Sequence, residues 1–350
     1  MLNTNPTSSN IWLDLRSDTV TRPTPAMREA MAEAIVGDDV YEDDPTVRQL
    51  EAKTAQLLGK QAGLFMASGT QSNLTAMLSH CGRGEEILTG DQYHVRSYEA
   101  GGASVLGGVV LSAISTDERG GLRPEQVRQS ISPDDIHKPV SKLLVLENTV
   151  SGFVQQPSQH QELIHCAHAN GLLTHLDGAR LINAAVKLQT EPSSLAAGFD
   201  SVSLCLSKGL GAPVGSVLVG SFDFIKKARR IRKMLGGGMR QAGILAAAGL
   251  FALEHQTERL AQDHQLAFDL ACALAEIPGL EVPLAKVETN MLFIKLPLEH
   301  QQRLRDYFRA RGVLLGGGKS LMRIVVHHDV FPSAVERFVG LMKEYATKNL

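Results

Sequence analysis

The chain has 350 residues, enough for one large domain and a smaller one, each with its own core. Apolar residues make up 43% and charged residues 21%, which is the balance of an ordinary globular chain and excludes a disordered or fibrous one. Basic side chains (35) and acidic ones (37) nearly cancel to −2, so neither a cationic surface for nucleic acid nor an acidic tail is expected.

The opening MLNTNPTSSNIW has no basic region and no apolar core, so residues 1–12 are expected to be an irregular lead-in, not a secretory signal. Short apolar runs then alternate with amphipathic helical patterns. Leu64–Ala67, Glu86–Thr89, Leu143–Leu146, Leu172–Leu176, Val202–Leu206 and Ser216–Val219 predict strands. Glu51–Leu58, Asn73–Ser79, Gln161–Ala169 and Phe224–Met234 predict helices. Such alternation predicts an α/β class with a mostly parallel central sheet flanked by helices. Ala242–Leu253 is strongly apolar, but twelve residues are too few to span a bilayer, so a buried helix is expected and no membrane partner. Beyond it, a long helical stretch (His255–Ile277) leads to a strand-like Thr289–Leu296, a helix near Gln301–Arg311, a strand-like Leu321–Val326 and a helix over Pro332–Tyr345. The expected division is a large domain over 13–255 and a smaller α+β domain over 256–350. Cys81, Cys166, Cys205 and Cys272 lie far apart with no C-x-x-C, as free buried thiols in a reducing cytosol would.

Several familiar patterns fail on inspection. Gly316-Gly317-Gly318-Lys319-Ser320 resembles the tail of a phosphate loop, but the spacing requires glycine where Val313 stands, and a strand follows. A glycine turn is the better expectation. Gly209-x-Gly211-x-x-x-Gly215 is one residue too long for a dinucleotide fingerprint. His165 and His168, three apart on a helix, and the cluster His327-His328-Asp329 lack a third ligand at fitting spacing, so solvated or hydrogen-bonded histidines are expected and no metal.

Three segments carry chemistry. In Val202-Ser-Leu-Cys-Leu-Ser-Lys208-Gly-Leu-Gly, one lysine ends an apolar strand. Burial there disfavours the ammonium, and a neutral amine is what Schiff-base chemistry uses; a lysine reaching water from a strand end is the alternative. In Leu172-Leu-Thr-His-Leu-Asp177-Gly-Ala-Arg180, a carboxylate ends another buried run. An ionised carboxylate in that place keeps a pyridine nitrogen protonated; the alternative is a cap on the next helix. In Ala67-Ser-Gly69-Thr70-Gln-Ser-Asn73, backbone N–H groups and hydroxyls meet a helix start, as phosphate sites require. Alone each segment is weak; together they supply a Schiff-base lysine, a pyridinium partner and a phosphate anchor. The three point to a pyridoxal 5'-phosphate enzyme.

The chain also resembles the low-specificity L-threonine aldolase family, of fold type I. The resemblance rests on LDLRSDTVTRPTPAM (13–27), VGDDVYEDDPTV (36–47), SGTQSN (68–73), YEAGGA (98–103), LENT (146–149), HLDGAR (175–180), SLCLSKGLGAPVGS (203–216) and RKMLGGGMRQAGILAAAG (232–249). It implies a retro-aldol cleavage of L-threonine and L-allo-threonine to glycine and acetaldehyde, through a Lys208 aldimine and a quinonoid. It implies further that Asp177 pairs with the pyridinium and that Gly69, Thr70 and Ser207 bind the phosphate. Arg240 reaches that phosphate from a neighbouring subunit, and His94 stacks on the ring. Ser17, Arg180 and Arg323 hold the substrate carboxylate, with His94 or His137 as the base. A homotetramer with sites at a dimer interface is implied as well. One departure is visible: Val150-Ser151 stands where the family has His-Asn after Glu-Asn-Thr. The rivals are another lyase of this fold, of the tryptophanase or tyrosine phenol-lyase type, and a non-catalytic homologue.

Overall fold

The computed structural model describes residues 11–317 and 321–349. These form two compact units, one over Pro23–Thr257 and one joining the residues up to Arg22 to those from Glu258 onward. The first strand, β1 (Leu13–Asp14), belongs to the second unit.

The larger unit is built on a sheet of β2 (Ala62–Met66), β3 (Glu85–Gly90), β4 (Val110–Ile114), β5 (Val140–Glu147), β6 (Leu173–Asp177), β7 (Ser201–Cys205) and β8 (Ser216–Gly220). Its order is β2-β8-β7-β6-β5-β3-β4, and β8 alone runs against its neighbours. Leu143–Leu146 of β5 and all of β7 and β8 are buried, as continuous apolar strands covered by helices on both faces must be. The expected strands fall on β2, β3, β5, β6, β7 and β8. The edge strand β4 was not anticipated, because half its side chains remain open to water and its pattern is weak.

Helix starts follow their caps. Ser68 accepts from the Gln71 N–H to open Gly69–His80, and Ser221 from the Phe224 N–H to open Phe222–Met234. Asp44 accepts from Thr46 and Val47, with proline at the first helical turn, to open Pro45–Leu57. Pro25–Ala32, Pro124–Ser130 and Leu181–Leu188 are helices too short for a clear sequence period. The apolar Gly243–His255 helix is buried, and no helix among the described residues is long and apolar enough to cross a membrane. The helical stretch expected from His255 is broken: one helix ends at His255 and the next, Leu260–Ala275, starts after a turn of polar residues. The unit boundary falls in that turn.

The smaller unit pairs β9 (Met291–Lys295) antiparallel to β11 (Leu321–Val325) and β1 parallel to β10 (Val313–Leu314). Leu270, Leu274, Leu292, Ile294, Phe308, Met322, Phe338 and Met342 fill its core under the helices Leu260–Ala275, Leu298–Arg309 and Pro332–Asn349. Residues 13–22 were expected with the large domain. They lie in this unit instead, because Leu13 is in register with Val313 and the Val325 N–H donates to the Leu15 carbonyl (3.0 Å). Gly316 and Gly317 follow β10; Gly318, Lys319 and Ser320, like most of the lead-in, lie outside the described residues.

Candidate active site

Parallel strands deliver their C-terminal ends to one edge of a sheet, and ligands of open α/β folds bind there. Registration of Glu147 with Asp177, and of Asp177 with Ser203, aligns the ends of β5, β6 and β7 at that edge. β2 ends there too and leads into Ser68, Gly69 and Thr70, while β3 leads into His94.

Asp177 is buried, at 3% exposure. Its Oδ1 accepts from the Ala179 N–H (3.1 Å) and its Oδ2 from Asn73 Nδ2 (2.9 Å). It does not cap the following helix, which starts at Leu181 with Arg180 as its N-cap. Asn73 Nδ2 also donates to Glu99 Oε1 (2.9 Å), and Glu99 Oε1 lies 3.0 Å from His94 Nδ1. A carboxylate accepts only, so His94 Nδ1 is the donor in this contact. The His94 N–H donates to Glu147 Oε2 (2.6 Å). Burial pushes the Glu147 carboxyl up to about 8, with the Asp177 charge adding to it; the His94 N–H, Lys208 and Arg180 pull the other way. Burial raises Glu99 as well, Asp177 adds to this, and the bonds from His94 and Asn73 oppose it. His94, Glu99 and Asp177 lie close enough to ligate a metal ion, but the Asn73 amide already spans the two carboxylates.

Lys208 stands three residues beyond β7, in a loop held by Leu206 N–H to Gly215 O (3.0 Å) and Gly211 N–H to Lys208 O (2.9 Å). The loop carries it clear of the sheet, so Lys208 and Ser207 are half-buried, not buried as the strand-end pattern suggested. Lys208, Arg180 and Cys205 line one narrow cleft. At the start of Gly69–His80, a Cβ on Gly69 would stand 2.5 Å from Cys205 Sγ, so only glycine lets the helix approach β7 this closely.

Other expected site residues stand on other elements. Ser17 and Arg323 belong to the smaller unit, where Arg323 Nη2 reaches the Arg16 carbonyl (3.4 Å) beside Ser17. Arg240 is exposed and 3.4 Å from Asp38. His137 is exposed on the turn before β5 and bonds Asp135 (2.7 Å). That is the N-terminal end of β5, so its own sheet separates it from Glu147 and Asp177. His168 bonds Asp200 (3.0 Å), while His327 and His328 bond the Asp14 and Arg22 carbonyls (2.8 and 2.9 Å). Asn73, Glu99 and Glu147 were not singled out from the sequence, since each acts through partners distant along the chain.

Pyridoxal phosphate, the group the resemblance implies, fits these residues. The first-turn N–H groups of Gly69–His80 lack intrahelical partners and suit a phosphate, and the missing Cβ of Gly69 gives the close approach. A buried carboxylate held by two donors suits a pyridinium nitrogen, and Lys208 offers the amine beside it.

Comparisons with known proteins agree. The beta-eliminating lyase family profile matches residues 14–297. The chain is 48% identical to the low specificity L-threonine aldolase of Escherichia coli K12, over 91% of this chain and 94% of that protein. It is 44% identical to low-specificity L-threonine aldolase 1 of Arabidopsis thaliana, over 92% and 93%. Among solved structures, Leishmania major threonine aldolase superposes with a TM-score of 0.80 at 20% identity, over 95% of this chain and 99% of that one. Sphingomonas wittichii serine palmitoyltransferase superposes with a TM-score of 0.75 at 17% identity, over 95% and 87%. These two likenesses show the shared fold, the type I architecture expected. On the family and sequence matches, the chain belongs to the beta-eliminating lyase family and, within it, to the low-specificity L-threonine aldolases.

Proposed function

We propose that the chain is a pyridoxal-phosphate-dependent aldehyde-lyase that cleaves L-threonine and L-allo-threonine to glycine and acetaldehyde. The observation that carries this is the convergence of Lys208, Asp177, His94 and the Gly69 helix start at one sheet edge. When bound, pyridoxal phosphate supplies an electron sink for the pair left as the Cα–Cβ bond breaks. Lys208 would hold the cofactor through Nζ. Asp177 holds the proton on the pyridine nitrogen. Gly69, Thr70 and Ser207 donate to the phosphate. Arg180 binds the substrate carboxylate, a task guanidinium suits by its two-pronged donors and permanent charge. The resemblance gives Ser17 and Arg323 the same carboxylate. His94 would cover the ring, and the contact of its Nδ1 with Glu99 supports Nε2 as the atom that takes the β-hydroxyl proton.

His137 is the rival base. On its turn before β5 it would act only on a neighbouring copy; the resemblance gives Arg240 the same course and implies a homotetramer whose sites are completed across a dimer interface. Free thiols at all four cysteines support a cytosolic setting.

The test couples acetaldehyde release to alcohol dehydrogenase and NADH. L-threonine, L-allo-threonine and D-threonine are run separately with pyridoxal phosphate. Acetaldehyde from both L-isomers and none from the D-isomer is expected. Cofactor binding without acetaldehyde would turn the assignment to a β-eliminating lyase, the reading the family profile also admits, and tryptophan and tyrosine would be the next substrates.

A further inference from the structure

Asn73 uses every hydrogen-bonding atom of its side chain. Two carboxylate oxygens, on Asp177 and Glu99, lie 2.9 Å from one end of the amide. Carboxylates only accept, so that end is the NH2 group and the other is the carbonyl. The carbonyl Oδ1 lies 3.1 Å from His175 Nε2, which must therefore carry a proton. His175 lies wholly inside β6 (0% exposed), and its other nitrogen, Nδ1, is 2.8 Å from Ser201 Oγ. Burial holds this ring far below the ordinary histidine value, at about 3, so it is neutral and Nδ1 accepts the Ser201 hydroxyl proton. Ser201 Oγ in turn lies 2.7 Å from His80 Nε2 and accepts from it. The His80 ring is fixed flat on Phe224 (centroids 4.5 Å apart, planes 17°). Asn73 and His80 are two turns apart on one helix face, His175 is on β6 and Ser201 on β7, so every member sits on a rigid element.

The chain of donors therefore runs one way. His80 donates to Ser201, Ser201 to His175, His175 to Asn73, and Asn73 to the two carboxylates. Turning the amide over would set its carbonyl against two anionic oxygens and its NH2 against an N–H. We propose that Asn73 is a positioning residue that holds Asp177 and, through Glu99, His94 in one geometry, and that His175, Ser201 and His80 lock the direction of its amide. The proposed pyridine-nitrogen partner and ring-covering imidazole are thereby tied to one side chain. This inference rests on the cofactor assignment made above.

Two measurements test it. The first uses the unaltered holoenzyme with isotope-labelled histidine and reads the His175 ring by NMR. A neutral ring protonated on Nε2 across neutral pH is expected; protonation on Nδ1, or a cationic ring, would overturn the proposal. The second titrates pyridoxal phosphate into apoenzyme and follows the visible absorbance. Asn73→Leu keeps the branched shape and removes both donors to the carboxylates, and about 10- to 100-fold weaker cofactor binding is expected, the range for hydrogen bonds to charged groups. His175→Leu should weaken binding about tenfold, and His175→Gln, which can still donate to Asn73 Oδ1, should recover most of that loss. A role in packing alone predicts no difference between the leucine and glutamine variants, and equal binding by all of them would refute the positioning role. Failure of the unaltered chain to bind pyridoxal phosphate would refute the cofactor assignment instead. The NMR result stands whether or not the variants fold.

Discussion

Gly69→Ala is the most local test of how the phosphate anchor is built. The added Cβ would stand 2.5 Å from Cys205 Sγ, whereas ordinary contact begins at 3.4 Å, so something must give by about 0.9 Å. β7 is held between β6 and β8 and cannot yield, and the Cys205 thiol is itself buried with one torsion to turn. Overpacking of this kind costs about 1–3 kcal/mol. Alanine in a helix returns up to about 1 kcal/mol relative to glycine. The net expectation is a loss of about 1–2 kcal/mol, or about 2–4 °C in apoenzyme melting temperature. On the proposed role of the displaced turn in holding the phosphate, cofactor binding should weaken about tenfold, the worth of one charge-assisted hydrogen bond. Removing the thiol should relieve the clash. Gly69→Ala with Cys205→Ala should be at least about 1 kcal/mol more stable than the sum of the single variants predicts. Strict additivity of the two changes, or a Gly69→Ala variant more stable than the parent, would show that the helix does not approach β7 as described.

Other outcomes follow from the same structure. Lys208→Ala should lose threonine cleavage and the visible absorbance of the lysine-bound cofactor; a variant that kept both would remove the lysine from the scheme. Arg232 and Asp39 form a buried ion pair (2.8 Å), so Arg232→Met should cost about 3–5 kcal/mol in denaturant unfolding by stranding the carboxylate. Burial holds His160 at about 4 and His175 at about 3. Between those values and the ordinary 6.5 the unfolded chain binds protons that the folded chain does not. The stability these two rings contribute is therefore full above about pH 6.5 and falls on acidification by about 1.4 kcal/mol per pH unit for each ring. His160→Phe should make that acid slope shallower, and an unchanged slope would mean the ring takes up its proton while folded. If His137 serves a neighbouring copy, mixed oligomers of Lys208→Ala and His137→Ala chains should recover activity that neither has alone.

Local chemistry made part of the site readable before any fold was known. Lys208, Asp177 and the Gly69-Thr70 turn each sit where an apolar run ends, and a parallel sheet gathers such ends at one edge. Asn73 escaped because its role depends on Asp177, 104 residues away, and on Glu99 and His175, which no periodicity brings together. Glu147 escaped for a similar reason, since a glutamate at a strand end reads as a solvated charge until β6 is set beside it. The burial inferred for Lys208 overreached because strand patterns do not tell where the loop after Cys205 turns away. His137 shows the converse limit: resemblance assigns it a task, but its own fold puts it at the far end of β5.

The course of the chain through the two units has a consequence for synthesis. The chain leaves the smaller unit after Arg22 and does not return until Glu258, so the larger unit is an uninterrupted insert within a divided host. During translation the insert can fold as soon as it clears the ribosome, as contiguous domains do. Leu13 and Asp14 must wait, unpaired, for Val313 and Leu314 to emerge. The earliest strand made is thus among the last to be paired, and a nascent chain stalled before residue 313 would carry a finished cofactor scaffold with an open host.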